Sequence, residues 1–265
     1  IAITTDSKLK LSSANVKLSA STFTYDGKTK TPAVTVDVGG ITINNDQYTV
    51  TYGSNVDAGN ATVTVSAKSG TDCEGTKTVN FTINKAAGML NVSQNAYTKS
   101  YSAKAQSVTV KATASYGTVT YSSGNSKVKV SAKGKVTLPK KFSGKVVITA
   151  ENAGDKNHNA ASAKITITVP AAVKLKTVKN ASGKKAKITW KKSSAVTGYE
   201  IQYSTSKKFS KAKSVKVKGA SKTSKTVTGL KKGKTYYVRI RAYQTVSKKN
   251  YTSAWSSSKK VKITK

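Results

Sequence analysis

The chain has 265 residues, with 47 Lys plus Arg against 10 Asp plus Glu, which gives a formal charge of +37. No apolar run reaches the roughly 18 to 20 residues that cross a bilayer, so a membrane span is not expected. Residues 1–10 lack a basic segment followed by an apolar one, so no signal peptide is predicted there. The single cysteine, Cys73, excludes an internal disulfide and a cysteine-based zinc site.

Alternation of apolar and polar residues is the dominant pattern and predicts short β-strands. Clear examples, in chain order, are residues 48–52, 61–65, 107–111, 127–131 and 164–169. Successive side chains of a strand point to opposite faces of a sheet, so each segment has one buried and one exposed face. Gly, Asn, Asp and Ser turns separate the segments at nearly regular intervals. The pattern is typical of an all-β chain built of antiparallel sandwiches.

Two joints divide the predicted strands into three parts. One strand ends at Asn84 and another at Val169, and a short linker follows each of them. Each part is close in size to the ~100 residues of an immunoglobulin-type sandwich. The sequence therefore predicts three tandem immunoglobulin-like β-sandwich domains, which span residues 1–85, 86–170 and 171–265.

Positive charge rises from the first predicted domain to the last. Residues 1–85 hold 8 Lys and 7 acidic residues, and residues 86–170 hold 12 Lys and 2 acidic residues. Residues 171–265 hold 25 Lys, 2 Arg and one acidic residue, Glu200, for a net charge of +26. Such density costs stability through self-repulsion, and an anionic polymer would relieve it. The alternative is that lysine only guards sheet edges against pairing with other chains.

Four motifs follow one another in the last predicted domain. They are Lys187-Ile-Thr-Trp190, Gly198-Tyr-Glu-Ile-Gln-Tyr203, the turn Thr228-Gly-Leu230, and Tyr236-Tyr-Val-Arg-Ile-Arg-Ala242. This set resembles the fibronectin type III family. The resemblance implies that Trp190, Tyr199 and Leu230 belong to the core. It also implies that Tyr236 is the corner tyrosine, whose hydroxyl bonds to nearby backbone.

The first two predicted domains contain motifs of a second kind. Those of the first domain are residues 23–28, 32–34, 46–52, 55–59 and 75–83, and they resemble a bacterial immunoglobulin-like repeat. Those of the second domain are residues 134–138, 144–150, 154–161 and 165–169, and they resemble another such module. The resemblance implies an extracellular bacterial protein, either secreted or associated with the cell wall. Such modules serve as spacers, stalks, adhesins or appendages of enzymes, so the fold alone does not decide among these roles.

Residues suited to catalysis or metal binding are sparse. His158 is the only histidine and has no evident acid–base partner, so a catalytic role is not expected. Cys73 lies between acidic neighbours that would raise the pKa of its thiol, and we interpret it as a semi-exposed turn residue. The acidic residues of the first domain match no EF-hand loop and are interpreted as solvated turn residues. The sequence predicts a protein that is not an enzyme, with no catalytic, cofactor-binding or metal-binding residue.

Lysine-rich turns of the last domain are the predicted site for an anionic polymer. Lysine outnumbers arginine 45 to 2, whereas sequence-specific readers of nucleic acid favour arginine, so such a reader is not expected. The expected partner is teichoic acid or an acidic or sulfated glycan, with a host protein or glycan as the alternative. A monomer is expected. The candidate residues are Lys207, Lys208, Lys211, Lys231, Lys232, Lys234, Lys248 and Lys249.

Aromatic residues near the C-terminus form a second candidate surface. Trp255 is expected to stack on Arg239 and Arg241, either as a cation–π ladder or as a platform for a sugar ring. Tyr243 and Tyr251 flank the loop of residues 244–250 and join Trp255 as candidate contacts with a glycan or partner protein.

Together these patterns favour a non-catalytic spacer or attachment segment of a bacterial extracellular protein, held to anionic polymer by its last domain. One alternative is a host-directed adhesin or ligand that engages a glycan or receptor through the fibronectin-like domain. Another is a set of accessory modules from a larger secreted enzyme.

Overall fold

The computed structural model describes residues 7–264 as β-strands joined by turns, with a short 3-10 turn at Leu11–Ser13. The prediction of an all-β chain is therefore confirmed. The expectation about residues 1–10 falls mostly on residues 1–6, which lie outside the described range. Within that range, no helix has the length and apolar character needed to cross a membrane.

The chain divides into two compact units. Unit 1 comprises Ile1–Leu90, Ala114–Thr118 and Asn152–Ala161, and unit 2 comprises Asn91–Thr113, Val119–Glu151 and Ser162–Lys265. The domain boundaries expected near residues 86 and 171 stay predictions.

Unit 1 contains two main sheets and a short strand pair. Its strands are β1 (Leu9–Lys10), β2 (Asn15–Leu18), β3 (Thr22–Thr24), β4 (Val34–Val38), β5 (Ile41–Ile43), β6 (Tyr48–Gly53), β7 (Gly59–Ala67), β8 (Cys73–Glu74) and β9 (Thr76–Asn84). The strand orders are β2-β4-β5 and β3-β9-β7-β6, and β1 pairs with β8. Alternate residues of β7 and β9 point into the core and bury Ala61, Val63, Val65, Phe81 and Ile83.

Some edge strands pair in parallel, although the sequence predicted antiparallel sandwiches. In unit 1, β3 pairs with β9 in parallel, as β1 does with β8. Only residues 19–21 connect β2 in one sheet to β3 in the other. Strands that are joined by a hairpin must be antiparallel. A strand that crosses over from the other sheet is not joined to its new partner by a hairpin, so the two can pair in parallel.

Unit 2 contains the remaining strands, apart from terminal residues of two of them. They are β10 (Asn91–Val92), β11 (Ala96–Thr98), β12 (Gln106–Thr109), β13 (Ala112–Thr113), β14 (Val119–Ser123), β15 (Lys129–Val130), β16 (Lys135–Leu138), β17 (Gly144–Asn152), β18 (Ala161–Val169), β19 (Leu175–Ala181), β20 (Lys185–Trp190), β21 (Gly198–Ser204), β22 (Lys213–Lys218), β23 (Ser224–Val227), β24 (Thr235–Val246), β25 (Lys249–Thr252) and β26 (Lys259–Lys262). The strand orders are β10-β13, β11-β18-β17-β14, β12-β16-β15, β19-β20-β23 and β22-β21-β24-β25, with β26 also paired to β24.

One hydrophobic cluster occupies residues 173–263 of unit 2. Trp190 and Tyr199 are fully buried there, with ring centroids 5.2 Å apart. The Tyr199 hydroxyl donates to the carbonyl of Ala220 (2.7 Å) and accepts the N–H of Ser193 (3.0 Å), so its polar end is satisfied inside the core. Alternation along β24 buries Val238 and Ile240 and sends the intervening side chains to the opposite face of the sheet.

Candidate anion-binding site

The loop of residues 205–212, between β21 and β22, is closed by a buried hydroxyl. The Ser204 hydroxyl donates to the carbonyl of Ser210 (2.9 Å) and accepts the N–H of Ser206 (3.1 Å). The N–H of Phe209 donates to the carbonyl of Ser206 (3.0 Å). Because one side chain bonds both arms of the loop, the loop has a defined shape rather than a range of shapes.

Two residues of this loop have positive φ although neither is glycine. The φ angle is 59° at Phe209 and 49° at Lys211. This conformation costs on the order of 1–2 kcal/mol for a residue with a Cβ, so other contacts must offset it. The Phe209 ring supplies one, because it covers the Arg239 guanidinium with Cζ 4.1 Å from the ring centroid. The anchored loop places Lys211 on the wall of a cavity.

The turn of residues 229–234, between β23 and β24, forms the opposite wall. Gly229 has a φ of 69° and bends the chain, and Leu230 next to it is buried in the core. The N–H of Lys231 donates to the Tyr236 hydroxyl (3.1 Å), and the N–H of Lys234 donates to the carbonyl of Lys231 (3.3 Å). The corner-tyrosine contact implied by the sequence resemblance is therefore present.

The loop and the turn enclose a cavity of about 500 Å³, called the lysine cavity here. Lysines line it from both walls, together with two tyrosines, three serines, a threonine, a leucine and a glycine. The Tyr203 and Tyr236 rings lie 6.4 Å apart between centroids and are inclined at 55°. The lining residues are Tyr203, Ser204, Thr205, Ser206, Ser210, Lys211, Lys213, Gly229, Leu230, Lys231, Lys234 and Tyr236.

The predicted lysines divide into separate groups. Lys211, Lys231 and Lys234 line the lysine cavity. Three others are exposed but are not among its lining residues: Lys207, Lys208 and Lys232. Two more, Lys248 and Lys249, lie at the hairpin between β24 and β25.

Sequence reasoning missed other cavity lysines. Lys213 also lines the lysine cavity, and its position two residues after the predicted Lys211 was a signal that could have found it. A second depression of about 610 Å³ lies on the β19-β20-β23 sheet and includes Thr189 and Ser224. Its lysines, none of them predicted, are Lys176, Lys187, Lys191 and Lys192.

The only acidic side chain of residues 171–265 is already engaged. Glu200 lies opposite Arg241 in the β21–β24 register, and its carboxylate is 2.8 Å from the guanidinium. Arg241 uses Nε for the same oxygen, also at 2.8 Å. Glu200 therefore neutralises an arginine on the sheet and not the lysines of the cavity.

Trp255 stacks on two arginines. Arg239 and Arg241 place Cζ 4.6 Å and 4.3 Å from its ring centroid, and Phe209 covers the other side of Arg239. Burial, and then the charge of Arg241, lower the pKa of Arg239 below its ordinary value. The Nε and Nη2 atoms of Arg239 both donate to Gln202 Oε1, at 2.8 Å and 2.5 Å. The predicted cation–π ladder is thus present and continues to Phe209.

Tyr243 is a correction to the predicted contact surface. It is only 4% exposed, because Gly198 packs so closely on it that a Cβ there would lie 2.7 Å from its hydroxyl. Its ring is therefore unavailable to a sugar or a partner protein. Tyr251 is half-buried, with the Lys249 ammonium 5.6 Å from its ring centroid.

His158 has the partner that the sequence did not reveal. Its Nδ1 lies 2.9 Å from Asp155 Oδ1, and the same oxygen accepts the backbone N–H groups of Asn157 and His158. Burial raises the pKa of Asp155, but these hydrogen bonds outweigh burial and hold that pKa below its ordinary value. The expectation that His158 stands alone is wrong, because the turn folds the carboxylate back onto the ring. Tyr116 covers one face of the imidazole, so the pair holds a loop in place.

Cys73 is a second correction in unit 1. It is 3% exposed and belongs to a core cluster with Leu11 and Val36, whereas a semi-exposed turn residue was expected. Short pairing of β8 with β1 draws it inward. Burial, and secondarily Asp72, raise the pKa of its thiol. Across residues 7–264, no three His, Cys, Asp or Glu side chains are grouped closely enough to hold a metal ion.

Comparison with known proteins finds a family match in the last part of the chain. Residues 171–259 match the family model of the fibronectin type III domain. No curated protein matches the chain. The solved structure of titin domains A168–A170 is 14% identical, covers 93% of this chain and 98% of its own, and gives a TM-score of 0.33. The solved structure of the chicken CNTN1 FN1–FN3 domains is 13% identical, covers 94% of this chain and 97% of its own, and gives a TM-score of 0.32.

Proposed function

We propose that this protein is a non-catalytic extracellular spacer and attachment segment, and that residues 171–264 hold it to an anionic polymer. The observation that carries the proposal is the lysine cavity, which lysines line from two walls. Residues 171–259 match the fibronectin type III domain, and members of that family are generally non-catalytic and typically extracellular.

Charge balance supports the proposal. Within residues 171–265, 25 lysines and 2 arginines face a single acidic side chain, and Arg241 occupies it. Salt screens such repulsion only beyond about 8 Å at physiological ionic strength. A polymer with repeated negative charge would neutralise several lysines at once and gain from each counterion released.

Lysine chemistry narrows the class of polymer. An ammonium group is a compact charge with rotatable donors, which suits phosphate, sulfate or carboxylate groups without fixed spacing. Base recognition in nucleic acids favours bidentate arginine, and both arginines here lie in the aromatic ladder. Cell-wall teichoic acid, or an acidic or sulfated glycan, is the polymer we propose, in the setting of a bacterial surface or secreted protein.

Retention of the full chain on isolated Gram-positive cell wall, with and without teichoic acid, tests the proposal across a salt series. We expect retention on the intact wall that falls as salt rises, with a log–log slope of about −3 if four lysines release counterions at ~0.7 per charge. Retention that ignores both salt and teichoic acid would contradict the proposal. A variant with all eight predicted lysines changed to Gln should elute at lower salt than one with eight exposed lysines of residues 86–170 changed.

The Trp255 ladder supports a second candidate function, a host-directed ligand or adhesin. Trp255 is half-buried beside a depression of about 520 Å³ that residues 172–175 and 255–259 line. An aromatic ring at the edge of a concave surface suits a sugar or a partner side chain. This candidate requires saturable binding at physiological salt that Trp255→Ala abolishes, whereas loss of cavity lysines should leave it unchanged.

A further inference from the structure

We infer that the lysine cavity binds one unit of the anionic polymer: an oxyanion carried on a hydroxylated carbon skeleton, as in a uronic acid, a sulfated sugar or a polyol phosphate. The inference rests on the proposed function and narrows the binding site from a charged surface to one open cavity.

The charges of the cavity define the oxyanion. Lys211 and Lys213 come from one wall, and Lys231 and Lys234 come from the other. None of the described residues that line the cavity is acidic. Four like charges around one volume repel one another, and an anion bound among them adds attractive interactions that offset this repulsion. Charge-assisted hydrogen bonds to such an anion are about twice as strong as neutral ones.

The remaining lining defines the skeleton that carries the anion. The inclined rings of Tyr203 and Tyr236 are part of the lining, and the C–H face of a sugar or polyol can pack on rings of this kind. Thr205 and Ser206 add hydroxyl groups at the rim. The Tyr236 oxygen accepts the N–H of Lys231, a bond that does not use the phenol's own proton. A bare inorganic anion would leave these groups without a role.

The cavity is also shaped before a ligand arrives. Its volume of about 500 Å³ lies within the ~300–1,000 Å³ typical of small-molecule sites. The Phe209–Arg239 contact and the Ser204 hydroxyl fix one wall, and the Tyr236 hydroxyl fixes the other. Backbone strain at Lys211, held by such contacts, is typical of ligand clamps.

Titration of the full chain by NMR, with glucuronate, glucose 6-sulfate, glycerol 3-phosphate, neutral glucose and inorganic sulfate, tests the inference. We expect saturable shifts at the amides of residues 205–212 and 229–234 with one or more of the three charged organic probes. The probe that binds most tightly identifies whether the polymer carries carboxylate, sulfate or phosphate. Glucose should cause none. Tighter binding of inorganic sulfate than of every organic probe would overturn the role assigned to the skeleton.

Matched variants separate the cavity from general charge. Lys231→Gln/Lys234→Gln should weaken binding of the best probe by about tenfold. Lys127→Gln/Lys129→Gln removes the same charge at exposed positions outside the cavity lining and should change binding by less than about twofold. Thr205→Trp should also weaken binding of the best probe, because the indole would fill part of the lysine cavity while every lysine is kept. Equal weakening by both lysine pairs overturns the cavity and leaves the proposed attachment intact. Wall retention that ignores salt and teichoic acid overturns the attachment itself.

Discussion

His158 lies flat against Tyr116, with ring centroids 3.9 Å apart and ring planes 9° apart. Tyr25 meets the same imidazole edge-on at 5.3 Å. Backbone hydrogen bonds of 2.9 Å join Ala86 to both neighbours of His158, from its N–H to the carbonyl of Asn157 and from the N–H of Asn159 to its carbonyl. Residues far apart in the sequence thus build one ordered loop within unit 1.

The stack predicts a ring-current effect on His158. In the native chain, the protons of the imidazole should resonate upfield of their usual positions, because the Tyr116 ring lies parallel and close. Tyr116→Leu should return them toward ordinary values, while Tyr116→Phe keeps the ring and should keep the shift. A shift that survives the leucine variant would show that the stack does not form in solution.

Substitution of Asn157 is expected to destabilise unit 1. Its side chain donates to Asp57 Oδ1 and accepts the N–H of Ala58, both at 2.8 Å, and it is buried. Asn157→Ala leaves that N–H without its acceptor, so we expect unit 1 to lose about 1–3 kcal/mol in denaturant unfolding. The Ala58 amide should also exchange faster with solvent. Asn159→Ala, at an exposed neighbouring position, is the control and should change neither measurement.

Asp57 predicts acid sensitivity of the same loop. Hydrogen bonds from Lys156, and then from Asn157, hold the pKa of Asp57 below its ordinary value. A carboxyl whose folded pKa is lowered stabilises the fold above its unfolded pKa, and that contribution is lost as the pH falls through the folded pKa. We therefore expect the melting temperature of Asp57→Asn to depend less on pH below about 4 than that of the native chain.

Lys156→Gln supplies the complementary measurement. Removing the ammonium should raise the pKa of Asp57 toward its ordinary value and move the acid transition to higher pH. Direct titration of the Asp57 carboxyl carbon by NMR reports this shift. An unchanged titration would mean that the Lys156 bond does not persist in solution.

Much of the fold was readable from the sequence because strand periodicity is local. The alternation around β24 indicated which side chains enter the core, and the spacing of Trp190 and Tyr236 indicated a fibronectin-like module. Burial follows directly from such alternation, since one face of each strand must pack. The parallel edge pairs were missed because strand direction at an edge depends on which sheet the chain has entered.

The site was only partly readable because its walls meet through tertiary contacts. Lysine-rich turns were evident, but Lys211 and Lys231 line one cavity only in the folded chain, where Phe209 is left-handed and packs on Arg239. Glycine is the usual sequence signal for a left-handed conformation, and position 209 holds phenylalanine, so nothing in the sequence indicated this conformation. The contact between Asp155 and His158 could have been predicted from the sequence, because a three-residue spacing in a turn permits it.

Cys73 predicts slow thiol chemistry in the folded chain. Burial first, and Asp72 second, raise the pKa of its thiol, so little reactive thiolate is accessible near neutral pH. A thiol-specific reagent such as Ellman's reagent should label the native chain at least about a hundredfold more slowly than the chain in denaturant, because labelling requires local opening. Fast labelling under native conditions would contradict the burial of Cys73. Cys73→Ser should abolish the signal and so confirm its source.

The Glu200–Arg241 pair predicts coupled stability in the last module. Its side chains are mostly buried, and Arg241 and Arg239 both stack on the Trp255 ring, so loss of the carboxylate leaves two cations together. Glu200→Gln keeps the shape and should cost about 1–3 kcal/mol, between the values of exposed and buried pairs. Arg241→Gln and the double variant complete a cycle measured by denaturant unfolding. A coupling energy above about 0.5 kcal/mol is expected, whereas additive effects would show that the pair contributes nothing beyond its separate side chains.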